Sequence, residues 1–384
     1  MNFSNPKTLA LFFAFAALYW LLPRRWQLYW VAIFPVGYLL LVGQYAAVAA
    51  VTLLTSACYG LSESARQHSG RTTQARSMAG IALLCGAFLA YKLAQNLKAD
   101  DGQFFVLLGA SFYLLRMIHY LAESYSRNLK QHSFIEFAAY IVFPPTLLVG
   151  PINRFPEFLR DERRKRWDSK LFYSGLERIL FGYFKVVVLA NYLLDTKLSV
   201  YIEQVGGNDT AYGAWLGCLE YGLDLYFRFG GYCDIAIGLS ALLGFRILEN
   251  FNYPFIRSDI SAFWKSWHIS LSSWCRDYVF TPVAFLLKRP ALGVIASMLI
   301  LGIWHELSWR YIVWGLYHGL GIVGFQQWSR LKQRFPAWLH LPGALSRALG
   351  ILITFNFVIL SFAITRTDEL SEAVAIYRTI FGEF

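Results

Sequence analysis

Long apolar runs separated by short polar stretches recur along nearly the whole chain. They fall near 8–22, 27–60, 79–97, 104–122, 134–149, 174–196, 212–227, 232–249, 291–304, 311–327 and 347–365. A bilayer crossing takes roughly 20 residues at about 1.5 Å of rise each. Most of these runs therefore predict single membrane helices, while 27–60 can supply one tilted helix or two short ones. Arg24 and Arg25 precede that run, and Arg66, Arg71 and Arg76 follow it. Basic residues collect on the cytoplasmic side, so both ends are expected inside and the run predicts two passes. The first run, TLALFFAFAALYWLL (8–22), has one lysine before it, Lys7, and PRRW directly after it. It reads as a retained membrane helix rather than a cleaved signal core.

The loops continue the count. The acidic turn KADDG (98–102) is expected outside and the basic loop 123–133 inside. The run 134–149 then leads to the most charged loop, RFPEFLRDERRKRWDSK (154–170). A full crossing at 134–149 would put that loop outside, against the charge rule. Pro144-Pro145 interrupts the run and Gly150-Pro151 ends it. Irregular backbone is tolerated at membrane depth only where protein or a cavity covers it, so the stretch predicts a re-entrant or buried broken segment. No internal repeat or low-complexity tract is present. The expected fold is all-α: a polytopic transmembrane protein of about 10–11 spans with re-entrant and interfacial helices, forming one membrane domain over 1–384.

Composition fixes the solvent. Hydrophobic residues make up 57% of the chain, charged residues 15%, and mean hydropathy is +0.42. A soluble domain carries about 25% charged residues, so an integral membrane protein is expected rather than a soluble domain with an anchor. The net charge of +11 sits in short loops, which favours cytoplasmic anchoring over nucleic-acid binding. Five cysteines (Cys58, Cys85, Cys218, Cys233, Cys275) show no paired spacing and lie in or beside apolar runs. Buried thiols are expected, with neither disulfides nor zinc.

Three stretches carry chemistry. In LYFRFGGYCDIAIGLSALLGFRILENFNYPF (225–255), Arg228 and Asp234 sit within apolar sequence around Gly230-Gly231. They predict an internal ion pair that fixes two helices, or else a lined cavity. In SAFWKSWHISLSSWCRDYVF (261–280), Trp264, Trp267, Leu271 and Trp274 recur at three- and four-residue steps. That spacing predicts an amphipathic interfacial helix over 261–277 with an aromatic face, and His268 borders that face. The third stretch, ILGIWHELSWRYIVWGLYHGLG (300–321), places His305 within apolar sequence, beside Glu306 and near Arg310. A charge at bilayer depth costs roughly 2.5–3.5 kcal/mol, so the residues there need a reason. On a continuous helix Glu306 projects about 100° away from His305, whereas Ser308 shares its face better. WHELS lacks the second histidine of H-E-x-x-H, which rules out that zinc site. A histidine in a dry site makes a good general base; the alternative is a packed histidine bonded to a carbonyl.

These stretches resemble the membrane-bound O-acyltransferase family, in particular its bacterial branch of alginate O-acetyltransferase and the D-alanine-transfer membrane protein of teichoic acid modification. LVGPINRFPEF (148–158), FGGYCDIAIGLSALLGF (229–245), ENFNYPFIRSDISAFWKSWHISLSSWCRDYVF (249–280) and WHELSWRYIVWGLYHG (304–319) match in order and spacing, and GASFYLLRMIHYLAESY (109–125) is a weaker block. The resemblance covers roughly 100–380. It implies helices around a central funnel, His305 as the catalytic histidine in the membrane core, and His268 as a second functional histidine nearer the cytoplasm. The same blocks make Trp304, Trp267, Arg276, Asp277 and Asn252 candidate substrate-binding residues, with Arg228 and Asp234 a structural polar core. Two departures stand out: Glu306 replaces the usual glycine, and TPVAFLLKRP (281–290) replaces a PLGGN-like turn. GPINRF leans toward the D-alanine side, ENFNYPF and DIAIGLS toward the acetyl side.

The implied activity moves a small acyl group, acetyl or D-alanyl, from a cytoplasmic thioester to hydroxyls of an extracytoplasmic polysaccharide or teichoic-acid-like polymer. The donor would be acetyl-CoA or an acyl-carrier protein, with no permanently bound cofactor and no metal. The implied setting is the bacterial cytoplasmic membrane, with an extracytoplasmic partner transferase as a further expectation. The competing readings are a transporter of the acyl group or its carrier and an inactive scaffold; the inverted repeats usual in transporters are missing.

Overall fold

A computed structural model describes residues 6–67, 70–96, 110–147, 149–335 and 342–382, and every regular element among them is helical. The chain divides into two compact units, Met1–Tyr183 with Tyr232–Leu248, and Phe184–Gly231 with Glu249–Phe384. Among the described residues four helices are long and apolar enough to cross a membrane: Tyr45–Gln67, Gln74–Leu93, Ser169–Gln204 and Gly343–Thr365. Thr8–Leu21, Phe134–Thr146 and Pro290–His305 are shorter apolar helices. The run 27–60 is two helices, Arg24–Leu41 and Tyr45–Gln67, as the flanking arginines predict. Gly43, with φ +77°, supplies the left-handed residue of the turn between them. The turn 98–102 lies outside the described residues.

In the first unit the segment after residue 133 turns back. A capping box between Ser133 and Glu136 starts the helix Phe134–Ile141. The helix stops at Val142 because Pro144 and Pro145 offer no N–H and disfavour helical backbone before them. The freed carbonyls are not left bare. Arg116, 1% exposed, donates to the carbonyls of Tyr140 (3.3 Å), Ile141 (3.2 Å) and Thr146 (2.5 Å). Tyr140 donates to the carbonyl of Asn153, and the Phe155 N–H donates to His119. The chain then enters the helix Phe155–Arg164. Arg163 from its end pairs with Glu136 at 2.8 Å, and Arg24 donates to the Arg163 carbonyl at 2.7 Å. The start of the broken segment and the end of the helix that follows it thus lie together beside Arg24.

Two expectations of the sequence change here. The runs 212–227 and 232–249 form one helix, Ala211–Leu242; Gly230 and Gly231 stay helical, since each costs only about 1 kcal/mol there. Arg228 and Asp234, on that one helix, do not pair with each other. Asp234 pairs with Arg178 at 2.6 Å, whereas Arg228 pairs with Asp224 (2.6 Å) and Asp195 (2.8 Å). Each still ties its own helix to a neighbour. Of the cysteines, all are free and four are buried, but Cys85 is exposed on a helix with a large apolar outer face.

In the second unit the helices Pro290–His305 and Trp309–Lys332 form a tight hairpin. Glycine permits the contact: a Cβ on Gly302 would lie 2.3 Å from the Tyr311 carbonyl oxygen, and one on Gly315 2.6 Å from that of Met298.

Candidate active site

The stretch 300–321 is therefore not a continuous helix. His305 is the last residue of one arm of the hairpin, and Glu306 is extended at φ −154°, ψ 139°. The helix ends because the chain must reverse within three residues. Ser308 does not partner His305; it caps the second arm, its hydroxyl accepting from the Tyr311 N–H. Glu306 pairs with Arg310 at 2.6 Å, and Arg310 also donates to the Thr365 carbonyl. The pair answers both charges that the sequence places at this depth.

His305 is half-buried among rings. Its centroid lies 4.8 Å from Trp304 edge-on, 5.7 Å from Tyr311 in a stacked arrangement, and 5.7 Å from Trp314 edge-on. His268 sits across Trp304, at 5.5 Å from that ring and 4.8 Å from Phe229. The two histidines thus flank one tryptophan.

How His268 reaches that place was not expected. The predicted single helix 261–277 is broken into Ile260–Trp264 and Ile269–Cys275, and His268 lies between them in the left-handed region at φ 44°, ψ 51°. A non-glycine residue there is strained by about 1–2 kcal/mol. Asn250, 1% exposed, holds the break: its carbonyl accepts from the Ile269 N–H and its side-chain oxygen from the Ser270 N–H. The Asn252 N–H donates to the Ser266 carbonyl alongside. His268 is 3% exposed and neither ring nitrogen has a hydrogen-bond partner. Burial first, and the nearby His305 second, hold it far below the ordinary imidazole range, at about 3. It is neutral, with a lone pair and an N–H both available.

The aromatic face is buried against protein: Trp264, Trp267 and Trp274 are all 5–6% exposed. Trp267 stacks on Phe263 and meets Phe251 and Phe255 edge-on, so it buttresses the His268 loop from behind. The remaining candidates separate from the histidines. Arg276 and Asp277 pair with each other at 2.8 Å, Arg276 exposed and Asp277 half-buried; Arg276 lines an apolar cavity of about 330 Å³ with Lys265 and Trp264. Asn252 is exposed, and its backbone carbonyl accepts from Arg257. Asn250, two positions away in ENFNYPF, is the buried residue sequence reasoning missed; beside Glu249 it carries no pattern that marks it as buried. His318 was also passed over. Its Nδ1 accepts from the Trp264 indole and its Nε2 meets the Ser361 hydroxyl, so it ties helices together.

On the other side of His305, Tyr311 is hydrogen-bonded to Tyr221. Tyr221 lines a polar cavity of about 470 Å³ with Asp195, Glu203, Glu220, Asp224 and Arg366. No group of three or more metal-ligating side chains occurs among the described residues.

The description of the membrane-bound O-acyltransferase family matches residues 26–364. The chain belongs to that family. This acyltransferase-family chain is 33% identical over 294 residues to the probable alginate O-acetylase of Pseudomonas aeruginosa, covering 72% of the chain and 51% of the relative. It is 34% identical over 279 residues to the teichoic acid D-alanyltransferase of Streptococcus thermophilus, with 67% of each covered. It is 28% identical over 313 residues to the peptidoglycan O-acetyltransferase of Helicobacter pylori, covering 72% of the chain and 56% of the relative. The matched part spans about half the length of the alginate relatives.

Proposed function

We propose that this protein transfers a small acyl group, acetyl or D-alanyl, from a cytoplasmic thioester to a hydroxyl of a cell-envelope polymer in the bacterial cytoplasmic membrane. The observation that carries the reading is the pair of histidines on either side of Trp304, one reachable and one buried with free ring nitrogens. His305 takes the acceptor hydroxyl proton as its oxygen attacks the thioester carbonyl. When the tetrahedral intermediate collapses, the C–S bond breaks and the thiolate recovers a proton from the imidazolium. The indole and phenol rings around His305 exclude water, which protects the thioester from hydrolysis. His268, neutral, suits the donor side, where its N–H can hydrogen-bond the thioester carbonyl. A thioester of acetyl-CoA or of an acyl-carrier protein supplies the acyl group.

The acceptor reaches His305 past Tyr221 and Tyr311. The polar cavity there offers carboxylates, Asn208 and Tyr221, acceptors suited to sugar hydroxyls. The relatives named above act on alginate, teichoic acid and peptidoglycan, so their acceptors share hydroxyl groups rather than one backbone.

The test is acyl transfer by purified protein in vesicles from a labelled thioester. His305→Ala should lower turnover at least about 10³-fold, the low end for a lost general base together with misplacement of the acceptor. His268→Ala should instead lower apparent donor affinity. Activity within a few-fold of wild type for His305→Ala, with the protein normally folded, ends the assignment.

A further inference from the structure

A second cavity, of about 610 Å³, lies in the first unit among Arg24, Arg25, Leu28, Tyr29, Glu136 and Arg163. Its charges do not cancel. Glu136 is held by Arg163 at 2.8 Å, and the other lining carboxylate, Glu162, by Lys165 at 2.5 Å. Arg24 gives one N–H to the Arg163 carbonyl. Neither Arg24 nor Arg25 has a carboxylate partner among the described residues, so two guanidiniums face the cavity uncompensated. Both carboxylates being taken, the site fits an anion.

The surroundings say which anion. Below the arginines on the same helix, Arg24–Leu41, Trp26, Tyr29 and Ile33 recur at three- and four-residue steps and are 52%, 43% and 59% exposed. Trp26 and Tyr29 rings lie 5.7 Å apart. An exposed Trp–Tyr pair with an apolar residue one turn further is the pattern of a helix at the membrane–water interface. Tyr29 belongs both to that stripe and to the cavity wall. A ligand there has its charge against Arg24 and Arg25 and its apolar part along Trp26, Tyr29 and Ile33. A planar guanidinium fork suits phosphate oxygens.

We propose that this cavity binds the phosphate headgroup of an anionic phospholipid, whose acyl chains lie along the exposed face of the Arg24–Leu41 helix. The lipid ties that helix to the start of the Phe134–Ile141 helix at Ser133 and to the end of the Phe155–Arg164 helix at Arg163.

The protein is reconstituted in nanodiscs of phosphatidylcholine with rising fractions of phosphatidylglycerol at fixed ionic strength, and its melting temperature is measured. The expected result is a saturable upward shift for wild type. Arg25→Gln, which removes an exposed guanidinium at the cavity wall, should lose more than half of the shift. Arg24→Gln/Arg25→Gln should lose nearly all of it, and Arg164→Gln, exposed and outside the cavity, should keep it. An equal shift in wild type, Arg25→Gln and Arg24→Gln/Arg25→Gln is a general surface-charge effect and overturns the proposal. A shift produced by inorganic phosphate in pure phosphatidylcholine discs overturns the lipid assignment in favour of a soluble anion. A shift produced by an acidic carrier protein through the same arginines, with none from phosphatidylglycerol, overturns it in favour of a protein partner.

Discussion

Gly302 sits one helical turn before His305, and the Glu306 N–H donates to its carbonyl at 3.0 Å. A methyl group added there meets the Tyr311 carbonyl oxygen at 2.3 Å, whereas an ordinary contact begins at about 3.4 Å. The obstacle is backbone, so it cannot rotate aside; the two arms must separate by roughly 1 Å. Overpacking of this kind costs about 1–3 kcal/mol. The functional effect is larger, because a misplacement of about 1 Å at the reacting groups can cost about 100-fold. His305 moves with Gly302, while the Tyr311 ring stacked on it moves with the opposite arm. Gly302→Ala should therefore lower acyl transfer about 100-fold while the protein still inserts and purifies with a modestly lower melting temperature. Gly324, further along the second arm, is the control: nothing lies within 4 Å of a Cβ built there. Gly324→Ala should leave activity unchanged and stabilise slightly, since alanine loses less chain entropy in a helix. The assay is single-turnover transfer from a labelled thioester in vesicles, paired with thermal unfolding. If Gly302→Ala transfers within two-fold of wild type, the hairpin does not set the position of His305 and the geometric account of the site is wrong.

Three further outcomes follow from the first unit. Arg116→Met strips the donor from the Tyr140, Ile141 and Thr146 carbonyls; at about 1–3 kcal/mol for each buried group left bare, monodisperse protein should be largely lost on size exclusion, and Arg116→Lys, lacking the fork, should not restore it. Asp234→Asn leaves Arg178 without its carboxylate, but Arg178 is a third exposed, so the loss should be about 1–2 kcal/mol rather than the 3–5 of a fully buried pair, read as a lower melting temperature with turnover retained. A cysteine at the exposed position Arg166 should react with impermeant maleimide only after cells are opened; labelling in intact spheroplasts would make 134–153 a full crossing.

The sequence was most informative where one physical rule decided the matter. Charge bias around 27–60 was enough to foresee the two-helix turn, and Pro144-Pro145 between apolar neighbours the break in the helix after Ile141. Periodicity failed at 261–277 because the tryptophan spacing is helical on both sides of a break it cannot reveal. The break depends on Asn250, distant in sequence, whose hydrogen bonds offset the strain at His268. Periodicity failed again at 211–242, where Gly230-Gly231 looked like an interruption but tertiary packing carries the helix through. The partners of Arg228 and Asp234 were hidden for a similar reason: a charge in apolar sequence announces that it is paired, not with what.

The position of His305 accounts for Glu306. At a helix C-terminus the last carbonyls lack intrahelical donors and carry partial negative charge, so an unpaired carboxylate placed next would be repelled as well as desolvated. Arg310, one turn into the second arm, meets the Glu306 carboxylate and donates to the Thr365 carbonyl, closing the hairpin end with a cation where a glycine would leave backbone alone. The arrangement separates two tasks that a continuous helix would have combined. The ion pair and the Ser308 cap fix the reversal of the chain, and the His305 ring lies against Trp304, Tyr311 and Trp314. On the proposed reading, that placement leaves the turn to its neighbours and sets the His305 ring where it can exchange a proton with a substrate.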